Sequence, residues 1–244
     1  MRTAWRKAPS QLKARTSFSW IMTFKPNLAI LPPPQLRLWP ELDATPEYFT
    51  LYGGTALALR LGHRISHDFD FFTNQPIDPE EIAATIPFLK GAERVQIALN
   101  TLKCRVERDA PVLISFFGGL GLGQAAPRDR AEGRRVYVAS LLDLAATKVV
   151  VVQKRAEAKD YLDVDALLQH GIDLPTALAA GRAVYGHNFN PMITLKALSF
   201  FDDVPALAAE VRRRLSAAVE AVDPFGLPTL TPYIKRPNEG EHTP

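Results

Sequence analysis

Between Leu51 and Phe72 the chain reads Leu-Tyr-Gly-Gly-Thr-Ala-Leu-Ala-Leu-Arg-Leu-Gly-His-Arg-Ile-Ser-His-Asp-Phe-Asp-Phe-Phe. The last residues of this stretch constrain the fold most. Successive strand side chains point to opposite faces, so Asp68 and Asp70 share one face while His67, Phe69 and Phe71 share the other. Phe72 puts a large hydrophobe on the acidic face as well, which marks a central strand rather than a solvated edge. Two neighbouring carboxylates in such a strand are costly unless a cation neutralises them. Mg²⁺ suits them, because it takes oxygen ligands and is commonly held by one or two carboxylates together with substrate phosphates. Upstream, Gly53-Gly54 opens a short apolar helix, Thr55 to Leu61, closed by Gly62. Backbone N–H groups at such a glycine-rich helix start can meet an anion. Gly53-Gly54 alone would read as a plain turn; with Asp68 14 residues beyond Gly54, the stretch predicts a phosphate-and-metal site.

The rest of the chain supplies a setting for that site. Residues 24 to 46 are Pro-rich and predict an extended arm with a short helix near Gln35 to Trp39. A strand over Tyr48 to Tyr52 precedes the glycines, and His67 to Thr73 carries the aspartates. Asp78-Pro79-Glu80-Glu81 has the pattern of a helix start, running to Lys90. Strands are expected at Arg94 to Leu99, Leu102 to Glu107, Val112 to Phe117 and Arg135 to Val138. From Ser140, whose capping pattern uses Asp143 in place of Glu, the pattern is helical to His187 with a break at Gly171 to Pro175. Two more helices follow, Pro191 to Phe201 and Pro205 to Val222. Strands first and helices after predict an α+β fold. The expected division is an N-terminal extension (1–46), a strand-bearing core (47–139), a helical domain (140–222) and a flexible tail (223–244).

Composition excludes several classes. The hydrophobic share of 47% and charged share of 23% are those of a soluble globular chain. No apolar run approaches the roughly 20 residues needed to span a bilayer. One cysteine, Cys104, permits no internal disulfide and no Cys-based zinc cluster, and fits a reducing cytoplasm. The net charge of +3 is concentrated in the first 21 residues, where Arg2, Arg6, Lys7, Lys13 and Arg15 meet no acid; the remainder carries a net −2. The body is therefore not a basic nucleic-acid-binding surface. Met22 is an alternative start to Met1, since the leader lacks the apolar core of a secretory signal.

A second motif lies at 148 to 163. On a continuous helix, Lys148, Arg155 and Lys159 would fall within about 20° of one line, a cationic stripe suited to a triphosphate. The bland alternative is a solvated charged face with pairs such as Lys159 to Asp163. Lys148 favours the stripe, because among Leu144 and Val149 to Val152 it must reach an anion or snorkel. Weaker signals remain. Gly118 to Gly123 lacks the spacing of a dinucleotide fingerprint and reads as a flexible loop. His63 and His67 could join the aspartates in a zinc site, but His67 points away from them in a strand. Trp5, Trp20 and Trp39 form no aromatic nucleic-acid platform.

Taken together, Gly-Gly, a helix and Arg64-x-Ser66-x-Asp68-Phe-Asp70-Phe resemble the first motif of the polymerase-β-like nucleotidyltransferases. With Asp143, Lys148 and the run Lys154-Arg155-Ala-Glu-Ala-Lys159-Asp160-Tyr-Leu-Asp163, the chain is most similar to the AbiEii/AbiGii abortive-infection toxins, over about residues 48 to 170. The resemblance implies a polymerase-β-like core, a mixed sheet with flanking helices, and a cleft completed by the helical half. It implies that Gly53, Gly54 and Thr55 hold phosphates and that Arg64 and Ser66 line the nucleotide site. Asp68 and Asp70 would bind Mg²⁺, Lys148 would contact the triphosphate, and Asp160 would complete the catalytic set; Arg155 and Lys159 are further nucleotide contacts. One departure stands out: many relatives carry a third metal-binding acid on a later strand, and the matching strand here offers Ser115.

The resulting expectation is a Mg²⁺-dependent nucleotidyltransferase that moves a nucleoside monophosphate from an NTP to an acceptor hydroxyl. The resemblance further implies a toxin of a toxin–antitoxin or phage-defence system, with the tRNA 3′ end as acceptor and a neighbouring gene encoding the antitoxin. Two rivals stay open: a protein-modifying enzyme of the same fold, and a nucleotide-binding module that has lost catalysis.

Overall fold

The alternating Asp-Phe-Asp-Phe-Phe segment forms a strand near the middle of a broad mixed sheet. The computed structural model describes residues 22–237; the basic leader with Trp5 and Trp20, and the last seven residues of the tail (238–244), lie outside them. Among the described residues, eight strands make one sheet. They are β1 (Thr23–Phe24), β2 (Thr50–Tyr52), β3 (Asp68–Phe72), β4 (Glu93–Ala98), β5 (Thr101–Glu107), β6 (Pro111–Phe117), β7 (Asp129–Ala131) and β8 (Tyr137–Val138). Their order across the sheet is β1-β7-β8-β2-β3-β6-β5-β4. β2 and β3 run antiparallel, β3 and β6 parallel, and β6, β5 and β4 form an antiparallel meander.

One face of the sheet is aromatic and sealed. Phe69 and Phe71 are buried there, with Phe71 stacked on Phe116 at 5.3 Å and Phe69 against Trp39 at 6.3 Å. Each fully buried phenylalanine contributes about 1.5–3 kcal/mol by leaving water. The opposite face carries the chemistry. Register places Tyr52, Asp70, Ser115 and Lys103 side by side across β2, β3, β6 and β5. The next row holds Asp68, Leu113 and Arg105.

The helices are α1 (Pro33–Leu38), α2 (Gly53–Leu61), α3 (Pro79–Thr85), α4 (Leu141–Val151), α5 (Ala158–Gln169), α6 (Leu174–Tyr185), α7 (Pro191–Ser199) and α8 (Ala209–Glu220). The α+β class expected from the sequence is the observed one, with α5, α6 and α7 packed against α4 and α8 against α7 and α5. Helix α2 is buried over Thr55–Leu59 and ends at Gly62, whose φ of +67° takes the left-handed cap. No described helix is long and apolar enough to cross a membrane.

Four local expectations are corrected. The Pro-rich arm has its expected short helix, α1, but is not extended around it: a 3-10 helix at Trp39–Ala44 follows and folds it onto the body, with Leu38, Trp39 and Leu42 fully buried. Helix α3 stops at Thr85 and does not reach Lys90, because Pro87 forces Ile86 into extended backbone (φ −83°, ψ 114°). The three-residue strand β7 escapes the sequence pattern, and its pairing with β8 and β1 supplies its order. The helix after Ser140 is broken between α4 and α5, where residues 152–157 turn. Gln153 ties that turn to α7 through Asn190 O (2.8 Å) and Thr194 Oγ1 (2.7 Å).

Candidate active site

The site begins at the junction of β2 and α2. Gly53 has φ +76°, and a Cβ there would lie 2.6 Å from Asp70 Oδ2, so both conformation and space require glycine. A Cβ on Gly54 would collide with the Arg64 guanidinium and stand 3.1 Å from Ser66 Oγ. The two glycines thus let a carboxylate, a guanidinium and a hydroxyl close on the first turn of α2. That turn has no side-chain cap and no acidic residue, which leaves its N–H groups to meet an anion. The Thr55 hydroxyl donates to the Asp68 carbonyl, locking helix to strand.

Asp68 is exposed and Asp70 half-buried. Burial lifts the Asp70 carboxyl above the ordinary carboxylate range; a hydrogen bond with Ser115 opposes this, the Asp68 charge adds to it, and the Lys148 and Lys103 charges oppose it. Asp70 and Ser115 are register partners on β3 and β6, so a serine stands beside Asp70 on the strand where a third acid was sought. Among the described residues no group of three or more His, Cys, Asp or Glu is arranged to hold a metal. The donor set is therefore two carboxylates and a hydroxyl. It fits a hard cation that keeps several waters and takes further oxygens from phosphates. It does not fit zinc, and His63 faces elsewhere.

Behind this pair lies a second acidic cluster, on α5. Asp163 accepts from Arg64 in bidentate fashion (Nε 2.6 Å, Nη2 2.9 Å) and sits 2.8 Å from His63 Nε2. Lys148 Nζ on α4 lies 2.5 Å from Asp163 and 3.2 Å from Asp160. Arg155, in the α4–α5 turn, donates to both Asp160 oxygens at 2.8 and 3.3 Å. Asp160 and Asp163 have no solvent exposure at all. Burial would raise the Asp163 pKa, yet the hydrogen bonds of His63 and Arg64 and the Lys148 charge hold it well below the ordinary carboxylate range. The buried His63 Nδ1 meets no partner among the described residues, which fits the tautomer carrying its hydrogen on Nε2.

The cationic stripe does not form, because α4 and α5 are separate helices. Lys148 faces Asp160 and Asp163 across a tight helical pair, Arg155 clasps Asp160 from the turn, and Lys159 is exposed and paired with Glu157 at 2.7 Å. Lys159 does not form the expected pair with Asp163. Lys148 does reach anions, but they are the protein's own. Ser140 caps α4 by accepting from Asp143 N, and the Asp143 carboxylate accepts from Ala125 N at 2.7 Å, a fold-building role. The structure brings together Gly53, Gly54, Thr55, Arg64, Ser66, Asp68, Asp70, Lys148 and Asp160. Sequence reasoning missed Asp163 as the hub, His63 as its partner and Lys103 beside Ser115. The signal for Lys103 was available in the alternation of β5; the Asp163 contacts depend on how α5 packs.

A family model described as nucleotidyl transferase AbiEii toxin, type IV toxin–antitoxin system, matches residues 38–233. The uncharacterised protein aq_aa25 of Aquifex aeolicus (strain VF5) is 30% identical over 191 residues, covering 77% of this chain and 88% of the relative. In fold, the chain is similar to MenT4, a nucleotidyltransferase toxin of Mycobacterium tuberculosis H37Rv. The TM-score is 0.54 at 18% identity, over 76% of this chain and 81% of the other.

Proposed function

Because the chain belongs to the AbiEii nucleotidyltransferase toxin family of type IV toxin–antitoxin systems, we propose that it is a Mg²⁺-dependent enzyme transferring a nucleoside monophosphate from an NTP to the 3′ end of tRNA. The observation that carries this reading is the pair Asp68 and Asp70 on one open sheet face, with Gly53 clearing the space beside Asp70 Oδ2. Asp68 and Asp70 would hold the metal, which when bound neutralises phosphate charge and clamps the reacting oxygens. The α2 N-terminus at Gly53, Gly54 and Thr55 binds the phosphates, and Arg64 and Ser66 orient them. The acceptor oxygen forms its bond to the α-phosphorus as the bond to pyrophosphate breaks, and the hydroxyl proton is lost to solvent or to an ionised carboxylate. Lys148 and Arg155 raise the positive potential of the cleft, and Asp160 positions both. Lys159 is left a peripheral contact at most.

A toxin acting on tRNA would block translation, and membership of a type IV toxin–antitoxin family supports a cognate antitoxin; its gene nearby, a role in phage defence and a cytoplasmic setting where NTPs are available are part of the same proposal. Purified protein with labelled NTPs, Mg²⁺ and a tRNA pool tests the reading. Transfer of label to RNA by the parent, lost in Asp70→Ala, is the expected result. Label in protein instead would move the acceptor to a protein hydroxyl. The serine beside Asp70 favours a second reading, nucleotide binding without turnover; pyrophosphate release dependent on Asp68 and Asp70 would exclude it.

A further inference from the structure

Along β3 from Asp70, at its Phe72 end, the same open face runs into a cavity of about 530 Å³. Its floor is Tyr52 stacked on Phe72, ring centroids 4.8 Å apart and 13° from parallel. The Arg128 guanidinium lies over the Tyr137 ring at 3.9 Å, held there by the Glu47 carbonyl (2.8 Å) and the Thr50 hydroxyl (3.1 Å). The glycine-rich loop makes one wall, pinned by a reciprocal pair: Asn74 Nδ2 donates to Leu122 O at 2.7 Å, and Leu122 N donates to Asn74 Oδ1 at 3.0 Å. The C-terminal segment makes another, where Gln124 and Ile234 exchange backbone bonds at 2.8 and 3.1 Å and bring Tyr233 to the rim.

We propose that this cavity seats the terminal nucleobase of the RNA acceptor, an assignment that rests on the nucleotidyltransferase reading above. Parallel aromatic rings, a guanidinium plane, tyrosine hydroxyls and the Gln124 amide are the groups that stack on a base and hydrogen-bond its edges. Position selects the acceptor over the incoming nucleotide. The phosphate cradle of Gly54, Arg64 and Ser66 lies beyond the Asp68 end of β3. The cavity lies at the other end, two residues or roughly 7 Å past Asp70. In-line transfer sets acceptor and pyrophosphate on opposite sides of the transferred phosphorus. The cavity is on the acceptor's side.

Tyr233 is 55% exposed, so Tyr233→Ala removes stacking with little risk to folding, and Tyr233→Phe restores the ring. With a short RNA carrying the tRNA 3′ end, Tyr233→Ala is expected to raise the acceptor KM about tenfold. The NTP KM stays level, and Tyr233→Phe returns the acceptor KM to the parent value. A raised NTP KM with a level acceptor KM, or no change in either, overturns the assignment. In parallel, the same RNA ending in 4-thiouridine is irradiated with the parent protein and the joined peptides are read by mass spectrometry. Cross-links at Tyr137 or Tyr233 without any label transfer would keep the base subsite and sink the nucleotidyltransferase reading. Transfer without such cross-links would do the reverse.

Discussion

Two aspartate pairs stand back to back in this protein, and they are built for opposite purposes. Asp68 and Asp70, two apart on β3, share an open sheet face; Lys148 and Arg155 near them are already paired with other carboxylates. Asp160 and Asp163, three apart on α5, are fully buried and enclosed by Arg64, Lys148, Arg155 and the His63 ring. The buried pair satisfies itself, and in doing so ties the strand half to the helical half. The open pair keeps a mutual repulsion that Ser115 and the Lys148 and Lys103 charges only oppose in part, and a cation from outside would relieve the rest. Carboxylate count says nothing about which pair does chemistry; the supply of internal cations does.

The sharpest break of this contrast is Asp70→Ala. Transfer should fall roughly 10³- to 10⁴-fold, about 4–5 kcal/mol of transition-state stabilisation. The melting temperature should hold or rise, because a repulsive charge is gone. Label transfer and a thermal melt on one sample check both. Asp163→Ala should behave in reverse, destabilising the fold by about 3–5 kcal/mol in urea titration, since Arg64 would lose its bidentate carboxylate and Lys148 the nearer of its two. Near-parental stability in that variant would break the comparison.

Acid should discriminate the pairs further. The Asp163 pKa is depressed in the folded state, so its contribution is present above the unfolded carboxyl value of about 3.9 and is lost as pH falls below it. Urea midpoints across the acid range should decline for the parent and flatten for Asp163→Ala. Gly54→Ala pushes a methyl against the Arg64 guanidinium and should raise the NTP KM about tenfold by misplacing a phosphate contact. The smallest effect is expected for Ser115→Ala. Its hydrogen bond lowers the Asp70 pKa, so losing it raises that pKa and moves the acid limb of the activity profile to higher pH.

Much of the open site could be read from residue order. Strand alternation alone put Asp68 and Asp70 together, Gly62 ended α2 as its type requires, and the turn at Asp109 joined β5 to β6, whose Ser115 pairs with Lys103 on one side and with Asp70 on the other. The buried cluster could not be read in this way. No proline or glycine marks the turn at 152–157; it exists because Gln153 bonds α7 and Arg155 reaches Asp160. A helical period counted through that turn sent Lys148, Arg155 and Lys159 to one imaginary stripe. The collapse of the Pro-rich arm onto Phe69 through Trp39 was likewise decided by burial, against a local preference for extended backbone.

The bidentate clasp between Arg64 and Asp163 has a consequence for timing. Arg64 borders the proposed phosphate cradle, and its guanidinium is already held by a residue on the far helix, so its rotamer entropy is spent during folding and would not be lost at each turnover. A nucleotide entering this cleft finds the guanidinium in place and need not recruit the helical half by a closing motion. Substrate association should then be a single fast phase, with no slow isomerisation trailing it.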